Sequence, residues 1–371
     1  MPLGIQLVKG YLLEFLYELG LFAAQTLLIV LGIVAIIMVI AASAGQKSKG
    51  TDEGFIEVRS INDRFDGYTA AIRELSDTDE VAKARAKSDK KAEKERAKTD
   101  KARAKEVGKA ADSPNDISSE RPRTFVLSFE GDMVASQVEA LREEISAVLP
   151  NAQAGDEVLL RLESPGGVVH GYGLAASQLS RIKEAGVTLV IAVDKVAASG
   201  GYMMACVGDR ILAAPFAVLG SIGVVAQMPN FHRLLKKNDV DVEQFTAGEF
   251  KRTITMFAEN TDKGRRKFES ELEDTHGLFK QFVSDNRQGI VIDKISTGEV
   301  WYGQQAIEVG LIDEISTSDG YLQRLTKDRD LIEVRYKRKQ KLAEKMGFAA
   351  EAVADRLFLR LWKRVNETRF L

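Results

Sequence analysis

EVLLRLESPGG, residues 157–167, is the stretch that decides the fold class of this chain. Its apolar first half is typical of a strand buried on both faces of a sheet, and its second half is a proline-glycine turn. The order recurs at 187–202, where the strand VTLVIAV is followed by a turn and by AASGGY, which opens a helix. Strands and amphipathic helices alternate outward from these two segments, so the sequence predicts an α/β domain with a largely parallel sheet.

Two glycine turns therefore follow neighbouring buried strands. In open α/β sheets the carboxyl ends of parallel strands lie at one edge, and that edge carries the ligand site. The first turn contains Gly166 and Gly167, and the second contains Ser199 and Gly200. A serine that opens a helix lies beside unpaired first-turn amides, which can stabilise the anion formed when a carbonyl is attacked. Each turn alone is also common as a simple helix cap, so the pair makes Ser199 a candidate nucleophile.

A serine nucleophile needs a group that takes its proton. The chain has three histidines, His170, His232 and His276, and each lies in a polar or helical stretch. Lysine is the alternative, but the pKa of a lysine base must fall from about 10.4 to about 7–8, which burial among apolar groups can achieve. Lys251 lies in the apolar stretch GEFKRTITMF. On the residues alone the base stays open between lysine and histidine.

Composition excludes several classes of function. The net charge of -2 over 371 residues gives no electrostatic basis for a nucleic-acid partner. Cys206 is the single cysteine, which excludes an internal disulfide and a paired-cysteine metal or redox site. The histidines are too scattered for a metal cluster, so no metal site and no cofactor are predicted.

The N-terminal region predicts a membrane anchor. Residues 20–44 carry no charge and are mostly apolar, and about 20 helical residues cross a bilayer core. A cleaved signal peptide would have a shorter apolar core beside a charged N-terminus, so a retained transmembrane helix is favoured. Residues 1–19 are predicted to lie in the membrane interface or to extend this helix. The flanking charges lean only slightly toward a cytoplasmic C-terminal side.

A charged spacer and a basic tail flank the predicted catalytic domain, which spans residues 123–330. The spacer is residues 45–122, and its segment 81–111 holds 12 basic and 5 acidic residues, a local charge of +7. Its Ala, Lys, Arg and Glu content favours a solvated helix, with attraction to anionic lipid head groups as the alternative. Residues 331–371 are predicted to form a basic, amphipathic, helical tail.

Four motifs in order resemble those of the signal-peptide peptidase (protease IV) family: SPGG at 164–167, AASGGY at 197–202, GSIGV at 220–224 and GEFK at 248–251. The likeness covers about residues 123–315. The single set of motifs, the N-terminal anchor and the charged spacer are similar to a proteobacterial branch of that family with one catalytic repeat. Four motifs in order are a more specific signal than any one of them.

The resemblance implies a serine protease with a ClpP/crotonase-like spiral fold and a Ser-Lys dyad. Ser199 corresponds to the nucleophile, Lys251 to the general base, and Ser221 to a serine that orients the lysine. The candidate donors of the oxyanion hole are the backbone amides of three residues, Gly166, Gly167 and Gly200.

The resemblance also implies partners and a location. Relatives with one repeat form ring-like homo-oligomers, in which the serine and the lysine can come from neighbouring subunits. The substrates would be peptides, such as cleaved signal peptides or fragments released from the membrane. The protein would cross the bacterial inner membrane once, in contact with lipid, and its catalytic domain would lie in the periplasm.

Three other interpretations are weighed against this one. An acyl-CoA hydratase-like enzyme would use the same glycine turns but would need neither a serine at 199 nor a membrane anchor. A Ser-His-Asp protease within the same fold would need a histidine after the next strand, where His232 is the candidate. A non-enzymatic membrane scaffold would leave Ser199 unreactive.

Overall fold

The computed structural model describes residues 54–78 and 121–338, together with single positions between 21 and 98. The chain divides into two units, residues 56–337 and the two terminal stretches. Residues 1–19, nearly all of the anchor at 20–44, and residues 339–371 of the tail lie outside the described residues, as does most of the spacer. In the described part of the chain, no helix is long and apolar enough to cross a bilayer.

Ten strands and nine α-helices make up the described part. In chain order they are β1 (Phe55–Ser60), α1 (Ile61–Ser76), β2 (Arg123–Glu130), α2 (Val138–Val148), β3 (Glu157–Glu163), α3 (Val169–Glu184), β4 (Thr188–Val193), β5 (Val196–Ala198), α4 (Gly200–Ala205), β6 (Arg210–Ala213), β7 (Val218–Gly220), α5 (His232–Lys237), α6 (Asp262–Asn286), α7 (Ile292–Ile295), β8 (Val300–Tyr302), α8 (Gly303–Ala306), β9 (Glu314–Ile315), α9 (Ser318–Leu325) and β10 (Asp330–Lys337). A short 3₁₀ turn, Leu149–Asn151, follows α2.

Seven strands form one sheet in the order β1-β10-β2-β3-β4-β6-β9. From β10 to β9 every pairing is parallel. Parallel neighbours need crossover connections, and most of these crossovers contain a helix. The predicted α/β class is confirmed, and the arrangement fits the ClpP-like fold that the resemblance implies.

The central strands are buried on both faces because helices cover each side of the sheet. In β2, Leu127 belongs to the apolar cluster beneath α2 and α3, whereas its neighbour Val126 belongs to the cluster beneath α1 and α9. Successive side chains of a strand point to opposite faces, so a strand covered on both sides needs the near-continuous apolar run seen in β2, β3 and β4.

A second, three-stranded sheet carries the edge at which the glycine turns meet. Its order is β5-β7-β8, with β5 parallel to β7 and β7 antiparallel to β8. The two sheets join where Ser164, just after β3, pairs with Ala197 of β5. The Ser164 amide donates to the Val196 carbonyl at 2.8 Å, and the Ala198 amide donates to the Ser164 carbonyl at 3.0 Å. This junction fixes the turn after β3 beside the turn after β5.

The described strands and helices extend beyond residues 123–330 at both ends. The predicted spacer contains β1 and α1, and the predicted tail begins inside β10. Strand β10, DLIEVRYK, alternates charged and apolar residues and therefore resembles a polar tail, yet Leu331 and Val334 are buried. The Asn62 side chain fastens α1 to this region, because its oxygen accepts from the Leu331 amide at 2.7 Å.

Glu144 is a buried carboxylate that links α2 to β10. Its Oε1 accepts a hydrogen bond from the Tyr336 amide at 2.8 Å, and its Oε2 has no partner among the described residues. Burial raises the pKa of Glu144 from its ordinary 4.5 to about 7. Between these two pH values the folded protein keeps a proton that the unfolded chain has lost, so the free energy of unfolding falls as the pH rises.

Glu144→Gln should remove this pH dependence, because the amide keeps the acceptor for Tyr336 and carries no charge. We expect the variant to be more stable than the parent at pH 8, by up to about 3 kcal/mol, and to match it near pH 5. Urea unfolding at both pH values measures the difference. Glu143→Gln, at an exposed position of the same helix, is the control and should change little at either pH. Equal effects of the two substitutions would contradict the assignment.

Candidate active site

Ser199 lies in a strained turn between β5 and α4. Its backbone has φ 52° and ψ -119°, a conformation that side-chain-bearing residues rarely adopt. The Ser199 amide donates to the Gly220 carbonyl at 2.7 Å, and the Met203 amide donates to the Ser199 carbonyl at 3.0 Å. Such strain costs about 1–3 kcal/mol and persists only where the surroundings enforce it. The turn presents a half-buried Ser199 at the start of the helix.

The turn after β3 packs in direct contact with this serine. Gly166 has φ +91°, and a Cβ placed there would lie 2.7 Å from the Ala198 carbonyl oxygen and 2.8 Å from the Ser199 Cβ. Only glycine fits both the conformation and the space. The backbones of the two turns are therefore in contact.

The backbone amides of Gly167 and of Gly200, the first residue of α4, make no hydrogen bond to any described residue. The Gly166 amide, in contrast, donates to the Ser164 hydroxyl at 3.1 Å. Amides without a partner beside a serine can bind an oxyanion, so the geometry separates Gly167 and Gly200 from Gly166.

Ser221 follows β7 and lies in the same groove as Ser199. Its φ is 51°, and its amide donates to the Glu299 carbonyl at 2.7 Å. Its hydroxyl makes no hydrogen bond within the described part of the chain, so it is free to bind a further group.

A groove of about 860 Å³ runs past the two serines. Both glycine turns line it, and so do five apolar side chains, namely Met133, Val169, Met203, Val225 and Phe279. A groove with an apolar wall and polar groups at one point suits an extended peptide better than a small polar molecule.

Lys251 does not line this groove. It is exposed, in the irregular stretch between α5 and α6, and its amide donates to the Gly248 carbonyl at 3.2 Å. The neighbouring Phe250 ring is covered by the ammonium groups of Lys263 and Lys267, each 5.7 Å from the ring centroid. Within a single chain Lys251 is therefore not buried among the apolar side chains that flank it in the sequence.

One of the three histidines lines the groove, although the sequence places all three in polar or helical stretches. His170 is exposed on α3, and His232 begins α5 away from the groove. His276 of α6 lines the groove, and its Nε2 is buried without a partner among the described residues. It precedes the buried Phe279 and Val283 by three and seven residues, a helical spacing that could have predicted its inward face.

Comparisons with known proteins agree with the geometry. Peptidase family S49 N-terminal matches residues 14–179, and Peptidase family S49 matches residues 181–332. A Haemophilus influenzae protein named Probable protease SohB is 54% identical over 90% of this chain and 93% of its own length. A protein of the same name from Buchnera aphidicola subsp. Schlechtendalia chinensis is 58% identical over 56% of this chain and 68% of its own.

A more distant relative is Protease 4 of Haemophilus influenzae, which is 27% identical over 55% of this chain and 33% of its own length. The chain belongs to peptidase family S49, in its SohB branch, and is a serine-type peptidase. The family expected from the four motifs is confirmed, and so is its branch with one catalytic repeat.

The strain at Ser199 predicts an unusual order of stability. Ser199→Gly should be more stable than Ser199→Ala by about 1 kcal/mol, because glycine adopts the backbone conformation without strain. Denaturant unfolding of the two variants measures the difference. Ser177, exposed within α3, is the control position, and there Gly should be less stable than Ala by about 1 kcal/mol. The same order at both positions would mean that the turn is not strained.

Proposed function

We propose that this S49 peptidase cleaves peptide bonds with Ser199 as nucleophile and with the amides of Gly167 and Gly200 as oxyanion hole. The observation that carries the proposal is the contact between the two turns, which brings a strained serine and two unpaired amides together. Removing one donor from an oxyanion hole typically costs about 3–4 kcal/mol of barrier lowering.

In the proposed reaction the Ser199 Oγ bonds to the scissile carbonyl carbon while a base takes the hydroxyl proton. The carbonyl oxygen becomes an oxyanion that the two amides bind. The C–N bond then breaks, the base returns the proton to the leaving amine, and an acyl-enzyme remains. Water, deprotonated by the same base, attacks the acyl carbon. The ester C–O bond then breaks, the base returns this proton to the Ser199 Oγ, and the second peptide leaves as a carboxylic acid.

Lys251 of a neighbouring subunit is the proposed base, oriented by the free hydroxyl of Ser221. Within one chain Lys251 is exposed and outside the groove, so a dyad needs a second copy. The stretch around Lys251 exposes a set of large apolar side chains, Val225, Met228, Phe231, Leu234, Val240, Val242, Phe245, Phe250, Met256 and Phe257. An apolar surface of this kind is typical of a protein interface and supports a ring-like homo-oligomer.

His276 is the alternative base, because its unpaired Nε2 lies in a residue that lines the groove. This alternative needs no second subunit. A dyad with His276 predicts an active monomer, whereas a shared dyad with Lys251 predicts that the isolated monomer is inactive.

The proposed setting is the bacterial inner membrane. The uncharged stretch at 20–44 supports a single membrane-spanning anchor, and the charged spacer would hold the peptidase domain away from the bilayer. Substrates would then be peptides released at the membrane, such as cleaved signal peptides. The apolar wall of the groove suits such sequences, and the domain would face the periplasm.

Mixing two inactive variants tests the shared dyad. Ser199→Ala and Lys251→Ala should each abolish peptide hydrolysis. After dissociation and reassembly in equal amounts, about a quarter of the interfaces would pair an intact serine with an intact lysine, so about a quarter of the activity should return. Peptide turnover measures it. Lys251→Arg keeps the positive charge but cannot act as a base, and it should remain inactive.

Three results would contradict this scheme. Turnover in Ser199→Ala would exclude the nucleophile. Activity in Lys251→Ala together with its loss in His276→Ala would transfer the role of base to the histidine. Failure of the mixture to recover, while both single variants are inactive and assemble, would place the dyad within one chain. Ser199→Ala mixed with the Ser199→Ala, Lys251→Ala double variant is the control and should stay inactive.

Protease accessibility tests the orientation. In intact spheroplasts, added trypsin should cleave the catalytic domain from its anchor, because the spacer segment 81–111 is rich in Lys and Arg. Protection of the domain until the inner membrane is permeabilised would place it in the cytoplasm instead. A cytoplasmic protein of the same cells, probed in parallel, reports whether the membrane is intact.

A further inference from the structure

Tyr172 connects the two halves of the proposed oxyanion hole. It lies in the first turns of α3 and is completely buried. Its hydroxyl is 2.6 Å from the Ser164 hydroxyl and 2.8 Å from the Asp132 carbonyl oxygen. The Ser164 hydroxyl in turn accepts from the Gly166 amide at 3.1 Å. Four groups therefore form one continuous chain of hydrogen bonds behind the turn after β3.

The direction of this chain is determined by counting protons. The Asp132 carbonyl can only accept a hydrogen bond, so the Tyr172 hydroxyl donates its single proton to that bond. Ser164 must then donate to the Tyr172 oxygen, and its own oxygen is left to accept from Gly166. Burial raises the pKa of Tyr172, so the hydroxyl keeps its proton throughout the physiological range. Each bond polarises the next, as in other buried hydrogen-bonded chains.

The chain determines which amide of the turn is free. The Ser164 hydroxyl binds the Gly166 amide and so fixes the orientation of that peptide unit. In this orientation the amide of the next residue, Gly167, has no partner among the described residues. Without the Ser164 acceptor, the Gly166 amide would be buried without a hydrogen-bond partner. Rotation of this peptide unit toward another acceptor would then lower the free energy of the turn. The hydroxyl end of Tyr172 therefore acts on one of the two proposed donors.

The ring of Tyr172 acts on the other donor. A Cβ placed on Gly200 would lie 2.4 Å from the Tyr172 Cγ, so the ring packs directly against the backbone that carries the second free amide. The ring is also in edge contact with Phe129 at 6.4 Å between centroids, which restricts its position. One side chain thus touches the supports of both donors, although it does not line the groove.

We propose that Tyr172, acting through Ser164, is a positioning residue that sets the spacing of the Gly167 and Gly200 amides for the oxyanion. The proposal rests on the proposed function, since it specifies how the same oxyanion hole is held. It assigns Ser164 a role distinct from that of the turn glycines. It also predicts that the transition state is affected more than the bound substrate, because the oxyanion exists only after attack.

The test compares two buried tyrosines that each lose one hydroxyl. Tyr172→Phe and Ser164→Ala in the full-length protein should lower kcat about tenfold or more while KM changes less than about twofold. Tyr202→Phe is the matched control: Tyr202 is completely buried in α4, and its hydroxyl donates to the Leu311 carbonyl at 2.9 Å, away from both turns. It should lose stability comparably yet keep kcat within about twofold.

A transition-state analogue gives a second readout that a purely structural role would not affect. A peptide aldehyde forms a hemiacetal with the serine and places its oxyanion in the hole, so its inhibition constant should weaken in Tyr172→Phe in proportion to the loss of kcat/KM. Because both groups belong to one chain, the Tyr172→Phe, Ser164→Ala double variant should be no worse than the poorer single variant.

The outcomes distinguish the positioning role of Tyr172 and Ser164 from the proposed role of Ser199 as nucleophile. If Ser199→Ala is inactive but Tyr172→Phe and Ser164→Ala keep kcat within about twofold, the positioning role is wrong and the proposed function stands. Equal losses of kcat in Tyr172→Phe and Tyr202→Phe would likewise overturn it, since the effect would then follow stability. Turnover in Ser199→Ala would remove the proposed function itself.

Discussion

The contact between Gly166 and the backbone of residues 198–200 is the constraint on which the rest of the site depends. No side chain fits between these segments, so the turn after β3 and the turn after β5 can approach to backbone distance. This approach requires the junction of the two sheets at Ser164 and Ala197, and the junction requires β3 to be held in the middle of a buried parallel sheet. The geometry at Ser199 is thus a consequence of how the two sheets are joined.

Strand β7 and helix α4 maintain the strained conformation of Ser199. The backbone of Ser199 is held from one side by the Gly220 carbonyl of β7 and from the other by the first turn of α4. Strain of a few kcal/mol is small beside the burial of apolar surface in strands covered on both faces, so the fold can sustain it. Ser221, the next residue after β7, also has a positive φ. Both serines therefore depend on one strand of the small sheet.

The residues of the proposed site lie in two different kinds of local structure. The proposed nucleophile, the free amides and the buried Tyr172 chain all lie at strand ends and helix starts. Lys251 instead lies in an exposed, irregular stretch with apolar side chains around it. A single chain thus contains one part of the proposed site on strand ends and helix starts, and an exposed apolar surface around Lys251. Such a division is compatible with activity that depends on assembly.

The amount that could be predicted differs from element to element. Long apolar strands such as β3 and β4 were predictable because burial on both faces leaves a continuous apolar run. Strand β10 was not, because its alternation of charged and apolar residues is equally typical of a surface tail, and only its position beside β2 reveals that Leu331 is core. His276 was predictable in principle from the spacing to Phe279 and Val283, but not its place in the groove.

The sequence by itself determined the fold class, the family and the identity of the candidate nucleophile, because these depend on local patterns: apolar runs, glycine turns and four motifs in order. Only the tertiary structure decided which amides are free. It also decided that His276 lines the groove and that Lys251 does not. Those facts depend on contacts between residues far apart in the chain, such as Ser164 with Tyr172 and Gly166 with Ser199. Spacing along a chain carries no information about them until the strands are paired.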